Sequence, residues 1–390
     1  MRWPITNWPG SFIWERDFQC KEGAMMRLIY RYITMELLTP LIFGVAAFTG
    51  IFIGTDLLFE LIDYYNNYGV RILTLVQLFF LNLPAIAVYT IPMATLLGTI
   101  MGYGRLSGDG EITALRASGI SIYKLVMPAL FLGLLMTLIT ISVNEFIVPQ
   151  ANYLNEQIVW EFKHGYRRPT TQNNLMLPSR DGRGRPDFFL YARSFDGDTG
   201  LMKGVIFQDF TDGKPVQLIE AEEAIWQDGG GWVFINGRII HLQAGERIPA
   251  LTFSEYRNIP LSYQPAQVAK LNKNIDDMNF NELREFIRFQ ARQGKNVNEE
   301  LVSLHQRLSI PFANFIFALL AALLGIYPQR SGGSATGMGI SIIVIFIYYT
   351  IMTIGSALGE QGTISPLFGA WVQNIVFLVI GGIMLYRADK

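Results

Sequence analysis

Apolar residues along this chain gather into long uncharged runs in two groups, separated by a central stretch where apolar and polar positions alternate. A helix needs about 20 apolar residues to cross ~30 Å of hydrocarbon. Six runs are long enough: Leu37–Thr55, Ile72–Gly104, Leu125–Asn144, Leu308–Gln329, Ser331–Gly359 and Gln361–Tyr386. The second contains Pro84 and Pro92, which each remove a backbone donor and predict a kink. No run carries a charge near its middle, which argues against a proton relay or ion path and hence against ion-coupled transport.

Between the third and fourth runs the period changes. Turn-forming clusters at Pro178–Asp187, Asp196–Asp198, Asp212-Gly213 and Asp228–Gly231 separate short alternating segments. The predicted strands are Phe188–Ala192, Gly204–Phe210, Val216–Trp226, Trp232–Leu242 and Ala250–Glu255. Short strands at this spacing suggest a sandwich or jelly-roll-like domain, placed at 150–272. Its apolar inner face has two readings, a core or a cleft for a lipid. Residues 273–306 read as an amphipathic helix and polar connection, a tether at the membrane surface. The expected fold is therefore membrane α + β: transmembrane helices one to three over 26–149, the extracytoplasmic β-domain, and helices four to six over 307–390. Residues 1–25 form a cytoplasmic leader, expected to lack regular structure. They hold Pro4, Pro9 and charges but no apolar core of a signal peptide. Met25-Met26 precedes the basic start of helix one and reads as the natural beginning.

Composition agrees with a membrane protein. The 390 residues are 51% hydrophobic and 16% charged, against about 25% charge in soluble chains, and mean hydropathy is +0.28. With 31 basic and 32 acidic residues there is no global field to attract nucleic acid. One cysteine, Cys20, excludes an internal disulfide or a cysteine-based metal cluster, and three scattered histidines leave little for a histidine site. Lys and Arg favour one side: Arg2, Arg16, Lys21, Arg27 and Arg31 before helix one, Arg105, Arg116 and Lys124 between two and three, Arg330, and Arg387 and Lys390 at the end. Both termini are therefore expected in the cytoplasm and the β-domain outside it.

Catalytic signatures are missing from the sequence. The Gly-Lys pairs are followed by Pro215 and Asn296, so no phosphate-cradling loop is formed, and neither a Gly-x-Ser-x-Gly elbow nor a His-Glu-x-x-His pair occurs. Asp196–Gly200 has only the beginning of a calcium loop and reads as a hairpin turn. Any energised work must draw on a partner.

The segment Ser107–Ser121 between helices two and three carries the most information. Ser107 or Asp109 can cap a helix start, acids sit in its first turn, and Gly119 can stop it, which predicts two to three turns over about 107–119. Ile112 and Leu115 share one side, leaving Glu111 and Arg116 for a partner. Two readings follow: a turn resting on lipid headgroups, or a helix pushed by a cytoplasmic ATPase that levers spans two and three.

These features together resemble the LptF/LptG (YjgP/YjgQ) permease family, subunits of the lipopolysaccharide-exporting ABC transporter, over about Arg27 to Arg387. The resemblance rests on Arg31-Tyr32, the run Ser107–Ser121, His305–Leu308 with Pro311, and Tyr327–Arg330 with its Gly-rich turn. Tyr348-Tyr349 and Pro366–Asn374 complete it. It implies a non-catalytic permease of the bacterial inner membrane, paired with a second LptF/LptG-type subunit, a paralogue or itself. The two sit on an LptB-like ATPase dimer that binds the ATP and Mg; this chain binds no cofactor. Lipopolysaccharide enters from the outer leaflet between helices one and five of opposite subunits and is passed through the β-domain to an LptC/LptA-like periplasmic bridge. By motif match, Asp109, Glu111, Leu115 and Arg116 are implied to contact the ATPase.

Two further expectations stand beside this. Gly98 and Gly102 form a small-xxx-small pair for close helix packing. Asp56, Glu60 and Asp63 share one helical face at the outer end of helix one, where some family members carry basic residues. A solvated acidic rim, or a site needing cations or a basic partner before a phosphorylated lipid approaches, would both account for them. The alternative function is a non-transporting scaffold that passes ATPase motion to a periplasmic partner. A membrane enzyme with its site in the β-domain is a weaker third, for want of a catalytic constellation.

Overall fold

The computed structural model describes residues 11–164, 171–180, 186–196, 199–211, 214–227, 231–243, 246–247, 251–257, 259, 268, 274–292, 295–326 and 333–388. Among them six helices are long and apolar enough to cross a membrane, three on each side of an antiparallel sheet. The architecture is membrane α + β, with the sheet inserted between the third and fourth spans, as the change of period predicts.

Span one is α1 (Ser11–Phe52), a π turn at Ile53–Leu57 and α2 (Leu58–Tyr68), with no break between them. Helix is already present from Ser11, so the leader, expected to lack regular structure, is helical over its second half. Pro4 and Pro9 both lie upstream of that start. From Met25 to Tyr68 the helix has 44 residues, about 66 Å at 1.5 Å per residue. That is twice the hydrocarbon thickness, so one end stands clear of the bilayer.

Span two is α3 (Ile72–Gly108), with Pro84 and Pro92 inside it. The short α4 (Glu111–Ala117) follows. Span three is α5 (Ile122–Ser142), a second π turn at Val143–Ile147, and α6 (Val148–His164). The β-domain, expected from 150, therefore begins only at Thr171. The intervening residues are polar enough to read as domain, but Ile158, Val159 and Phe162 recur at helical spacing. They pack against Leu57, Leu61, Tyr64 and Leu78 of the first two spans.

Strands β1 (Thr171–Arg180), β2 (Pro186–Asp196), β3 (Leu201–Thr211), β4 (Lys214–Gln227) and β5 (Gly231–Gln243) pair in sequence order. On its free side β5 pairs β6 (Glu246–Arg247) and β7 (Leu251–Tyr256). Four predicted strands fall inside observed ones and the fifth matches β7 except for residue 250, outside the described residues, while β1 was hidden by Pro178 and a polar start. As an edge strand it tolerates the proline. One face carries the core: Leu190, Phe195, Met202, Phe207, Ala224, Trp232 and Phe234 are each no more than 1% exposed. Val268 is buried with them, and Phe289 packs on them from outside the sheet.

Phe289 belongs to α7 (Phe280–Arg292), the expected amphipathic helix. A reciprocal capping box begins it: Glu282 N–H donates to Asn279 Oδ1 at 2.9 Å, and Asn279 N–H to Glu282 Oε2 at 3.1 Å. Its other face, Leu283 and Ile287, packs on Leu301 and Leu304 of α8 (Asn298–Ile326), which is span four. Two charged groups hold this connection. The Glu145 carboxylate, in the second π turn, accepts from Phe280 N–H at 3.0 Å. The Arg307 guanidinium donates to the carbonyls of Met278 and Ile275. The connecting segment thus joins the sheet to the bundle rather than lying free on the membrane.

Spans five and six are α9 (Gly333–Glu360) and α10 (Pro366–Ala388). Pro366 takes the first helical position, where no donor is lost, and Ser365 caps the start. Span four is the axis of the bundle: from Pro311 to Leu323 only Phe312 and Phe315 retain exposure. Asn314 accepts from Thr95 Oγ1 of α3 at 2.8 Å and donates to Thr140 Oγ1 of α5 at 3.2 Å. Asn374 donates to the Ser309 carbonyl and accepts from the Tyr348 hydroxyl, both at 2.8 Å, joining α8, α9 and α10. Gln306 reaches Ser356 at 2.6 Å.

Replacing Asn314 by Leu removes both hydroxyl partners from one buried amide. Two interhelical hydrogen bonds of this kind contribute about 1–2 kcal/mol, so thermal unfolding in a lipid nanodisc is expected several degrees lower, with span topology unchanged.

Candidate functional site

The loop between spans two and three folds into a corner at the end of the bundle opposite the sheet. α3 does not stop at Gly104 but runs to Gly108, so Ser107, expected as a cap, is helical. Its hydroxyl donates to the Ile326 carbonyl at 2.9 Å, tying the ends of spans two and four. Asp109 closes α3 as its C-cap rather than opening the next helix. Gly110, at φ +76°, makes the turn and precedes α4 with no side-chain cap. The seven residues of α4 make two turns, shorter than the expected 107–119 because two of those positions extend the helix before it and two more form the turn. Gly119 does end it: at φ +86° it donates to the Arg116 carbonyl at 2.9 Å, and Ile120 N–H reaches Leu115 at 3.2 Å. This is a Schellman stop, reading as the sequence predicts.

Ile112 is 2% exposed and sits among Ile33 and Leu37 of span one, Tyr103 and Leu106 of span two, and Ile122 and Leu125 of span three. One side chain therefore anchors α4 in the bundle. Leu115 and Ile120 pack at the margin of the same cluster.

The four residues expected to contact an ATPase separate into two pairs. Asp109 and Arg116 are exposed. Glu111 and Leu115 are half-buried and turn towards span one, where the Tyr32 hydroxyl donates to Glu111 Oε1 at 3.1 Å. Between them lies a groove of about 480 Å³ lined by Leu28, Ile29, Tyr32, Glu111, Ala114 and Leu115. In the sequence Tyr32 stands out only through the Arg31-Tyr32 resemblance. Its contact with Glu111 spans 79 positions, and no local pattern signals a pairing at that distance.

Helix packing behind the corner is close. A Cβ on Gly98 would lie 2.6 Å from the Leu41 Cα, and one on Gly102 would lie 2.5 Å from Leu37 Cδ2. The expected small-xxx-small pair thus brings span two against span one. Ile100, about 200° round the helix from Gly98, faces Gly337 of span five instead. Spans one and five consequently flank span two on opposite sides. Their outward faces are apolar, with Ile42 and Phe43 on one and Ile343 and Phe346 on the other.

At the far end, Asp56 lies in the first π turn and Asp56, Glu60 and Asp63 are all exposed. Glu60 accepts from the Tyr64 hydroxyl, and Asp63 accepts from Asn67 Nδ2 at 2.5 Å. Lys163 of α6 stands 5.1 Å from the Tyr64 ring centroid, so a cation of this chain approaches that end. In the sheet, Asp196 accepts from Thr199 Oγ1 at 2.9 Å and its carbonyl from Gly200 N–H. That is a β2–β3 hairpin turn; residues 197–198 lie outside the described ones. No group of three or more metal-ligating side chains occurs among the described residues.

The other family marks become helix joints. Gln306 and Arg307 hold span five and the connecting segment, Tyr348 and Asn374 bond each other, and Trp371 packs on Phe312 with ring centroids 5.7 Å apart. Tyr327–Arg330 lies outside the described residues.

Comparison with known proteins gives a consistent result. A family profile described as "Lipopolysaccharide export system permease LptF/LptG" matches residues 31–387. The chain is 20% identical over 308 residues to the lipopolysaccharide export system permease protein LptG of Escherichia coli strain K12, covering 76% of this chain and 81% of that one. It is 21% identical over 292 residues to LptG of Haemophilus influenzae, covering 74% and 79%. To LptF of Escherichia coli strain K12 it is 25% identical over 314 residues, covering 77% and 79%.

Truncating Ile112 to Ala removes the one deep anchor of α4, at about 2–4 kcal/mol for such a core position. Hydrogen–deuterium exchange of 111–117 is expected to accelerate strongly while amides of span four, including Asn314, keep their protection.

Proposed function

This chain belongs to the LptF/LptG family of lipopolysaccharide export system permeases, and from that premise we propose that it is a membrane subunit of an ATP-driven exporter of lipopolysaccharide. In this role it extracts lipid from the inner membrane and passes it into its own periplasmic β-domain. A single observation carries the reading: the family match runs through both groups of spans and the sheet between them, so the whole architecture is shared.

The corner at α4 supplies the coupling. Exposed Asp109 and Arg116 form the outward side offered to a cytoplasmic ATPase dimer, while Glu111 and Leu115 connect that contact to span one. ATP and Mg belong to that partner, since this sequence has no phosphate loop. Spans one and five present apolar flanks, which suit a second permease of the same type and a gate between the two subunits. An uncharged wall accepts acyl chains without burying an ionised group. Both termini and α4 face the cytoplasm, following the Lys/Arg distribution. A bridge protein of the LptC/LptA type receives the lipid beyond the β-domain.

A non-transporting scaffold draws on one contrary observation. The inner face of the sheet is filled by its own side chains, with Phe188 stacked on Phe207 at 5.5 Å and Trp232 against Phe195 at 6.4 Å. Lipid entry needs this face to open at its rim, where Trp226 and Tyr256 are only partly buried.

Photocrosslinkers at Ile42 of span one and at Trp226 and Tyr256 of the sheet, in the complex with lipopolysaccharide, separate the two. Adducts are expected at Ile42 without nucleotide, and at the sheet positions only with ATPase and ATP. Adducts absent from all three in a complex that hydrolyses ATP would leave the scaffold reading. In parallel, the double variant Asp109→Ala, Arg116→Ala is expected to lose most ATPase on co-purification.

A further inference from the structure

At the α3–α4 corner the short helix α4 is bonded through a side chain to span one and joins span three through a turn, while α3 behind it is bonded to span three by the Tyr103 hydroxyl, which donates to the Leu125 carbonyl at 2.6 Å. Tyr32 and Glu36 are four residues apart on span one and so share a face one turn apart. Tyr32 holds Glu111, at the start of α4. Glu36 is ion-paired with Arg105, in the last turn of α3. Two rungs therefore grip the corner on either side of its Asp109-Gly110 turn, and Gly98 and Gly102 lock the helices behind them. Towards span three, α4 continues only through Gly119, Ile120 and Ser121, with Gly119 left-handed and Ser121 extended.

The apolar anchor at Ile112 lies in one buried cluster with residues of all three spans. Dispersion contacts of this kind resist withdrawal of a side chain but set no direction. A hydroxyl-to-carboxylate bond is directional, so it fixes how α4 is rotated about its axis and prevents it sliding along span one. A displacement of α4 therefore has a direct side-chain route into span one, beside the covalent routes into spans two and three.

We propose that Tyr32 is a positioning residue that couples α4 to span one through Glu111, so that span one moves with α4 when the ATPase acts. This rests on the reading of α4 as the ATPase-contacting helix, and it adds span one to the expected lever on spans two and three. Tyr32 is 45% exposed, and Tyr32→Phe keeps the ring while deleting the one donor, so the variant preserves the fold.

The test uses the full complex of this chain, its partner permease and the ATPase, in nanodiscs containing lipopolysaccharide. With Tyr32→Phe, ATPase co-purification and ATP hydrolysis are expected to stay within about twofold, while lipid extracted per ATP falls by about fivefold or more. Spin labels at Thr55→Cys on span one and Thr363→Cys between spans five and six are expected to lose most of their ATP-dependent change in separation. Tyr32→Phe combined with Glu111→Gln is expected to be no worse than the poorer single variant, because both break one link. Extraction per ATP within twofold of the unsubstituted complex, with the distance change intact, would overturn the proposal. So would loss of the ATPase from the Tyr32→Phe complex, which would make Tyr32 a docking residue. The underlying reading fails separately: an Asp109→Ala, Arg116→Ala complex that keeps its ATPase and exports lipid refutes α4 as the contact, and neither residue touches Tyr32.

Discussion

A helix in lipid gains no hydrophobic energy by meeting another, because acyl chains are as apolar as leucine. The bundle must therefore be held by close backbone approach and by buried polar pairs. Span four supplies both. Asn314 links it to spans two and three, the Ser309 carbonyl links it through Asn374 to span six and on to Tyr348 of span five, and Gln306 adds a second bond to span five. Small residues allow the contacts these bonds need: a Cβ on Gly133 of span three would fall 2.6 Å from Ala318 Cβ, and one on Gly325 would fall 2.6 Å from Tyr103 Cβ. Among the described residues span one has no such bond to span four, and Gly98 and Gly102 hold it to span two instead.

That difference organises the moving parts. A central helix hydrogen-bonded on several sides makes a rigid frame, against which a peripheral helix can shift. Span one is peripheral, and the α4 corner is attached to it by Tyr32 and Glu36. At the opposite end the sheet is attached to the frame itself: Glu145 and Arg307 clamp the connecting segment, and α7 packs on span four with one face and on the sheet with Phe289. The two ends of the protein thus meet at span four, one packed beside it and one fixed on it.

The residues that mark the family are mostly parts of this frame. Arg307, Tyr348 and Asn374 each complete a bond between elements far apart in the chain, which is reason enough for a helix bundle to need those side chains. They identify the architecture without touching the exposed side of α4. The acidic positions Asp56, Glu60 and Asp63 stand exposed on an end of span one that also receives Lys163.

What the sequence determined by itself is what a local period can encode. Runs of twenty apolar residues cannot be anything but buried or membrane-crossing, so six spans were legible, and strict alternation marked five strands and their inward faces. Gly119 was legible as a helix stop because left-handed backbone excludes most other residues. Elements whose partners lie far along the chain were not. The continuation of span three to His164, the edge strand β1, and the seating of α7 on both sheet and bundle depend on surfaces supplied by distant segments. The same holds for the corner: the sequence placed a short helix between spans two and three, but only the packing of span one beside it, 79 residues earlier, decided that Glu111 faces Tyr32 while Arg116 faces outward. Hydrogen bonds between such residues carry no periodic trace in the sequence, because their energy arises only once the helices are side by side.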